Sequence, residues 1–402
     1  MTAEAFPKPD QRLRLGFVGG GAGLIGKVHA NGARLSNRWE VVAGALSSDP
    51  AKAAALGRDW LLPEGRSYAD FREMARAEAA RPDGIDAVAI VTPNHLHAPV
   101  ARAFMEAGID IVSDKPLTAT LEEAEALAEA QRASGVIYGV TYAYASHVMV
   151  RQARAMVQAG ALGALRQVHV EYFQDWAIDI AADGDDGPWR LDAGKSGPSF
   201  TVGDIGTHAE HLVRFVTGRG IAALRADFHV TGAPKPLEDT AFMQIRLKGD
   251  VPGTLMVSQA MAGAQCGLRL RVSGSRATLE WNQEQPEFLR LRPVGKPEQV
   301  ISRGHGSGMA AETERLVRMP RGHPEALTDA WANLYLELAV AIAARRAGIP
   351  VDRIKIVAFS IAGGMAAFGG ILSASRILGV SVSSAIGKAT SFPTRPWSKP
   401  SP

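Results

Sequence analysis

The chain has 402 residues, of which 46% are hydrophobic and 21% charged, a composition typical of a globular protein long enough for two domains. Its formal net charge is only +3, and acidic and basic residues are interleaved, so the sequence predicts no nucleic-acid or membrane surface. The single cysteine, Cys266, excludes an intramolecular disulfide and a cysteine-rich zinc site. Because no signal peptide is apparent, we expect a cytoplasmic protein whose partner is a small molecule.

The first part of the chain alternates strand-like apolar runs with helical patterns. The runs begin at residues 13, 40, 86, 109 and 136, and helices are predicted to begin near Leu24, Ala51, His97 and Leu121. Repeated βαβ units imply a parallel sheet covered by helices on both faces. We therefore predict a doubly wound Rossmann domain over residues 1–141.

A glycine-rich segment, GGGAGLIGKVH, follows the first predicted strand. Its glycines satisfy G-x-G-x-x-G between a strand and a helix, where the backbone approaches a pyrophosphate and the helix N-terminus stabilises its charge. The alternative is a glycine-rich turn without a ligand. The residues predicted here to bind the dinucleotide are Gly19, Gly21, Gly23, Leu24, Ile25 and Gly26.

The end of the second strand should contact the adenosine ribose, and its sequence is GALSSDPAK. If Ser47 occupies the ribose position, followed by Ser48, no carboxylate excludes a 2′-phosphate, which Lys52 could reach. No arginine is adjacent, and we expect Asp49 to cap the next helix. The choice between NAD and NADP stays open.

The pattern changes after residue 141. A helix, a strand, a second helix and then six successive strand-like segments are followed by a helix that begins near Pro324 and should close the second domain. Strands without intervening helices favour a large open, mainly antiparallel sheet, and the whole chain is α/β. We assign residues 142–350 to a substrate-binding and oligomerisation domain.

Residues 351–402 form an atypical segment. Residues 356–375 contain no charge, but the run is weakly hydrophobic and rich in Gly, Ala and Ser, which favours a buried helix over a membrane span. The final stretch, residues 391–402, is typical of a disordered tail.

A polar segment, GDIGTHAEHL, lies in the predicted second helix of this domain. The spacing places Asp204, His208 and His211 on one helical face. One carboxylate and two imidazoles suit a metal site, proton transfer or a solvated surface equally well. The segment alone does not decide between them.

Three motifs together resemble the Gfo/Idh/MocA oxidoreductases. They are the glycine segment with His29, the stretch VTPNHLHAPVARAFMEAGIDIVSDKPLT over residues 91–118, and GDIGTH, and the similarity spans roughly residues 12–345. The resemblance implies a Rossmann domain followed by an α/β domain on a large open sheet, often assembled as a dimer or tetramer. It also implies NAD(P)-dependent oxidation or reduction of sugars, inositols and related polyols.

The resemblance assigns roles to residues that match the family's motifs. Lys115 of "DKP" takes the place of the lysine that contacts the nicotinamide side and the substrate hydroxyl, although Asp114 replaces the usual glutamate. Asp204 and His208 take the places of the family's aspartate and catalytic histidine. The remaining cofactor-binding residues that we assign in this half of the site are Thr92, Pro93, Asn94, His97 and Asp114.

The chemistry of the polar segment then favours proton transfer over a metal site. No further cysteine is present to complete a zinc site. His208 can accept the alcohol proton, Lys115 can stabilise the alkoxide-like charge, and Asp204 can anchor a neighbouring hydroxyl, whereas His211 is expected to be structural. The other substrate-binding candidates, from aromatic and charged clusters, are Tyr144, Trp176 and Arg190, the last suited to an acidic group.

Two other functions remain open. A glycosidase that oxidises its sugar transiently and returns the hydride would use the same residues without net consumption of NAD. A nucleotide-binding regulator would need only the glycine segment and has no use for a proton-transfer set.

Overall fold

The computed structural model of the chain describes residues 12–181, 189–306 and 308–347. The first sheet has five parallel strands, β1 (Leu13–Gly19), β2 (Trp39–Ala45), β3 (Ala87–Val91), β4 (Asp110–Ser113) and β5 (Tyr138–Val140), in the order β2-β1-β3-β4-β5. The intervening helices are α1 (Leu24–Leu35), α2 (Pro50–Asp59), α3 (Phe71–Ala80), α4 (His97–Glu106) and α5 (Leu121–Ser134). The predicted doubly wound domain is confirmed, with α3 as an element that the sequence analysis missed.

The strand order creates a crevice at the carboxyl ends of β1 and β3. β2 lies on one side of β1 and β3 on the other, so the connections that leave these ends run in opposite directions. Ligands of doubly wound proteins bind at such a switch point. The glycine segment follows β1, and residues 92–94 follow β3.

Side-chain caps fix the start of several helices but not that of α1. The Asp49 carboxylate accepts a hydrogen bond from the Lys52 amide at 2.7 Å, as expected for the cap of α2, and Thr120 and Glu123 form a capping box on α5. Gly23, the N-cap of α1, has no side chain to do so. The first N–H groups of α1 are therefore left for another acceptor.

In the described part of the chain the second sheet has eight strands, and β6 pairs with β9 in parallel while the other neighbouring pairs are antiparallel. In order across the sheet they are β13 (Gln299–Ser302), β12 (Phe288–Pro293), β11 (Ala277–Asn282), β10 (Gly267–Gly274), β6 (Leu165–Phe173), β9 (Val251–Ser258), β8 (Thr240–Leu247) and β7 (Ile221–His229). Alternate residues are buried along β8 and β10 beneath α6 (Val148–Gln158) and α8 (Thr207–Thr217). Two short helices, α7 (Ala193–Ser196) and α9 (Ala311–Glu314), complete this region. The predicted open, mainly antiparallel sheet is confirmed, and β13 was not predicted.

The long helix α10 (Leu327–Arg346) joins the two regions rather than only closing the second. Its apolar side lies in the core of the first sheet, and it packs so closely on α1 that a Cβ on Gly32 would lie 2.6 Å from the Trp331 Cβ. On its other side, Glu337 accepts hydrogen bonds of 2.7 and 2.5 Å from Arg151 of α6. The domain boundary at residue 141 stays a prediction, because this helix contacts both regions.

The predictions for residues 351–402, including the apolar run and the tail, lie outside the described residues. Among the helices that the structure does describe, none is both long and apolar enough to cross a membrane.

Candidate active site

A cavity of about 620 Å³ is lined by residues from both regions of the chain. The Rossmann side contributes the glycine segment and the residues that follow β3 and β4, and the second region contributes an aromatic wall and the start of α8. The predicted site residues that line it are Gly23, Leu24, Ile25, Gly26, Thr92, Pro93, Asn94, Asp114, Lys115, Tyr144, Trp176, Arg190, Asp204 and His208.

Six predicted cofactor residues do not line this cavity, namely Gly19, Gly21, Ser47, Ser48, Lys52 and His97. A Cβ on Gly21 would lie 2.8 Å from the Leu46 Cβ, so this glycine packs against the end of β2, where the two serines begin the connection to α2. His97 is buried, with ring nitrogens 2.7 and 2.9 Å from the carbonyl oxygens of Pro116 and Thr92. Through these two contacts His97 stabilises the segments after β3 and β4, which line the cavity.

The glycine segment fits a dinucleotide pyrophosphate. A Cβ on Gly26 would lie 2.1 Å from the Gly20 carbonyl oxygen, so only glycine allows α1 to begin this close to the loop. The uncapped N-terminus of α1 faces the same cavity through Gly23 and Leu24. Free N–H groups and the helix dipole favour an anion at this position.

Lys115 reaches across the cavity from the end of β4. Its backbone N–H donates to the Asp114 carboxylate at 2.8 Å, which also accepts from the Thr141 hydroxyl at 3.0 Å. The Lys115 Nζ donates to the Asp204 carboxylate at 2.5 Å and to the Asp204 carbonyl oxygen at 2.9 Å. This ion pair joins the Rossmann region to the second region at the centre of the cavity.

Asp204 lies in a π-helical turn, Val202–Gly206, immediately before α8. Burial acts to raise the pKa of its carboxyl, but Lys115 and Arg190, together with hydrogen bonds from Lys115 and Gln259, lower that pKa to about 2. The carboxylate is therefore ionised at any pH at which the protein would be assayed. Within the described ranges, no three His, Cys, Asp or Glu side chains are grouped so that they could hold a metal ion.

His208 follows one turn later and also lines the cavity, beside the ring of Tyr144 at a centroid distance of 4.8 Å. Burial and then the Lys115 charge lower the pKa of His208 to about 3, so its imidazole is neutral at neutral pH. His211 does not share this cavity. It is buried and stacks on Tyr142 at 4.3 Å, which supports the structural role expected for it.

The aromatic wall, which includes Trp176 and Trp189, faces Lys115 and Asp204. The Arg190 guanidinium lies 5.9 Å from the Trp176 ring centroid and 4.8 Å from that of Trp189, and its Nε is 3.7 Å from the Asp204 carboxylate. Trp176 is 39% exposed and packs edge-on against Phe200. The cavity therefore combines flat apolar surfaces with a small number of charges, as is typical of small-molecule sites.

Several residues of the site are not among those predicted from the sequence. Gln259 donates to the Asp204 carboxylate at 2.8 Å, and Leu327 and Trp331 of α10 line the cavity. A polar residue directly after the buried strand β9 was a usable signal for Gln259. The contribution of α10 had no local signal, because it depends on how the helix packs on α1.

Comparisons with known proteins agree with this architecture. The crystal structure of an oxidoreductase from Sinorhizobium meliloti is 40% identical, with a TM-score of 0.80, and the match covers 91% of this chain and 97% of that one. An inositol dehydrogenase homologue from Azotobacter vinelandii, complexed with NADH and myo-inositol, is 35% identical with a TM-score of 0.80, over 92% of this chain and 96% of that one. A levoglucosan dehydrogenase from Pseudarthrobacter phenanthrenivorans is 26% identical over 70% of this chain and 76% of its own length.

Family models account for both regions. Residues 13–142 match the oxidoreductase family model with an NAD-binding Rossmann fold, and residues 150–280 match the GFO/IDH/MocA C-terminal domain. These matches confirm the resemblance, the dehydrogenase or reductase class and the nicotinamide cofactor expected from the sequence. The chain belongs to the Gfo/Idh/MocA family of NAD-binding oxidoreductases.

Proposed function

We propose that this oxidoreductase transfers a hydride between NAD(P) and a secondary alcohol or ketone of an inositol, a sugar or a related polyol. The observation that carries the proposal is the meeting of Lys115, Asp204 and His208 in one cavity, next to the uncapped glycine end of α1. The residues at that end of α1 would hold the cofactor through its pyrophosphate.

Each of the three side chains has a distinct role in the proposed reaction. The bound nicotinamide supplies the hydride acceptor. The Lys115 ammonium donates a hydrogen bond to the substrate hydroxyl and stabilises the negative charge that develops on its oxygen. His208, neutral because of its lowered pKa, accepts the hydroxyl proton.

Asp204 fixes the position of the substrate in the cavity. Its ionised carboxylate can accept a hydrogen bond from a neighbouring hydroxyl while it keeps the Lys115 ammonium in place. The aromatic surface of Trp176 can pack against the C–H face of the ring. A ring with adjacent hydroxyls meets both requirements, and the relative crystallised with myo-inositol supports this substrate class.

A substrate panel tests the proposal. The purified chain is incubated with inositols, aldoses and glycosides in the presence of NAD or NADP, and NAD(P)H absorbance and product release are followed together. We expect stoichiometric NAD(P)H formation with at least one free polyol. Aglycone release without net NAD(P)H would indicate the redox-neutral glycosidase instead, and binding of neither cofactor at millimolar concentration would contradict both. The panel also decides between NAD and NADP, and light scattering on the same sample tests the expected homo-oligomer.

A further inference from the structure

Gln259 is a fully buried polar residue that follows β9 and contacts Asp204 from the side opposite Lys115. Its Nε2 donates to the Asp204 Oδ2 at 2.8 Å and lies 3.2 Å from the Gln174 Oε1. Its Oε1 accepts from the Thr201 hydroxyl at 2.9 Å. Both the NH₂ group and the carbonyl oxygen of the amide therefore have hydrogen-bond partners inside the protein.

The chemistry of these partners fixes the orientation of the amide. The Asp204 carboxylate is ionised and can only accept hydrogen bonds, so the NH₂ group of Gln259 must face it. The Thr201 hydroxyl can donate or accept and adjusts to the remaining oxygen. The backbone holds the residue as well, because the Gln259 N–H donates to the Asp239 carbonyl oxygen at 2.8 Å.

Both oxygens of the Asp204 carboxylate are consequently held, one from each region of the chain. Lys115 donates to Oδ1 and Gln259 donates to Oδ2. Gln174, the second neighbour of the Gln259 amide, lines the cavity and accepts from the Trp176 indole N–H at 3.1 Å. One buried amide thus connects the central carboxylate to the aromatic wall.

We propose that Gln259 is a positioning residue that holds the Asp204 carboxylate in the orientation required by the polyol substrate and by Lys115. This inference rests on the proposed function for the role of Asp204. Gln259 is not among the residues that line the cavity, so it acts through Asp204 and Gln174 rather than on the substrate.

The Gln259→Glu variant tests hydrogen-bond donation at nearly constant shape. The ionised glutamate cannot donate and repels Asp204, whereas the protonated form donates again, and the adjacent carboxylate raises its pKa. We expect kcat/KM for the polyol, relative to wild type, to fall about tenfold to a hundredfold at about pH 8 and to recover largely near pH 5.5. The Kd of the cofactor should stay within about twofold of wild type.

The exposed turn residue Gln285 provides the matched control. Gln285→Glu makes the same chemical change between β11 and β12, and kcat/KM of this variant for the polyol should equal that of wild type throughout this pH range. A loss in Gln259→Glu that does not vary with pH would show that hydrogen-bond donation to Asp204 is not what this residue contributes, and would overturn the inference.

A measurement without turnover separates this inference from the proposed function. In Gln259→Glu labelled with ¹³C at the glutamate carboxyl, NMR should detect a carboxyl that titrates well above the ordinary range. Adding Asp204→Asn should lower that pKa by about one unit or more, because the neighbouring negative charge is gone. No change would overturn the inference, whereas coupling in a protein that oxidises no polyol would count against the proposed function alone.

Discussion

Replacement of Lys115 by methionine removes one ammonium group at the centre of the cavity and keeps a side chain of similar length. In the wild-type chain this group donates to the Asp204 carboxylate at 2.5 Å and to its carbonyl oxygen at 2.9 Å. In the variant, the partners of the carboxylate among the described residues are Gln259 at 2.8 Å and the more distant Arg190 at 3.7 Å. The change therefore affects both the stability of the protein and the proposed reaction.

The two effects have different magnitudes. The Lys115 and Asp204 side chains are 16% and 18% exposed, so the pair lies between a surface ion pair and a fully buried one. Leaving Asp204 without its main partner should cost about 2 kcal/mol, a decrease in Tm of roughly 2 to 3 °C for a chain of this length. Loss of a donor to a developing oxyanion should lower turnover by about a hundredfold to a thousandfold.

A second substitution separates the two effects. In Lys115→Met/Asp204→Asn the carboxylate that lost its main partner is gone, and Arg190, whose side chain is 34% exposed, stays solvated, so thermal unfolding should show that most of the lost stability returns. Turnover, followed by NAD(P)H absorbance, should stay as low as in the worse single variant, because the alkoxide still has no cation. Turnover of Lys115→Met within about fivefold of wild type would refute the assignment of Lys115 to charge stabilisation.

Two further predictions concern the glycine segment and the buried His211. Gly26→Ala places a Cβ 2.1 Å from the Gly20 carbonyl oxygen and should destabilise the protein by about 1 to 3 kcal/mol and weaken NAD binding in calorimetry. Gly23→Ala, whose Cβ would have its nearest neighbour at 4.0 Å, should keep the wild-type Tm, and equal Tm values for the two variants would contradict the close approach. Burial, and after it nearby arginines, lowers the pKa of His211 to about 3. As the pH falls below about 6.5, His211 therefore takes up a proton in the unfolded state alone, and the free energy of unfolding decreases on acidification. The variant His211→Phe keeps a ring stacked on Tyr142. In urea unfolding between about pH 7 and pH 5, its free energy of unfolding should decrease by about 2 kcal/mol less than that of wild type. An equal decrease in the two proteins would show that His211 does not cause the pH dependence.

The Rossmann domain was predictable because its signals are local. Each strand of the first sheet is a short apolar run, and Asp49 marks the start of α2 by its capping chemistry. The glycine spacing also has a local cause, since Gly26 must pass close to the Gly20 carbonyl oxygen. Local patterns of this kind are readable without knowledge of the tertiary structure.

The polar segment was predictable in composition but not in geometry. A regular helix would place Asp204, His208 and His211 on one face, whereas the structure has a π-helical turn over Val202–Gly206. Such a turn changes the angular relation of residues on either side of it. The turn separates Asp204 from the two histidines, which both lie in the regular helix α8; Asp204 and His208 face the cavity, while His211 stacks on Tyr142 in the protein interior.

The contacts of the site that depend on distant packing could not be predicted, although the place of Gln259 directly after β9 is a local signal. Gln259 meets Asp204 only because β9 lies beside β6 in the second sheet and ends near the π-helical turn. Trp331 lines the cavity because α10 packs on α1, a contact between opposite ends of the described chain. Neither relation is encoded in a short stretch of sequence.

The proton acceptor is the central claim of the proposed function, and His208→Asn tests it most directly. The variant keeps a polar side chain at the cavity wall but removes the imidazole. We measure kcat/KM for the best polyol from about pH 5 to about pH 9, together with the Kd of the cofactor. The account predicts a fall of about a hundredfold or more at every pH, with cofactor affinity little changed. Near-wild-type kcat/KM across this range would contradict it and would leave His208 as a half-buried residue of the cavity wall without a catalytic role.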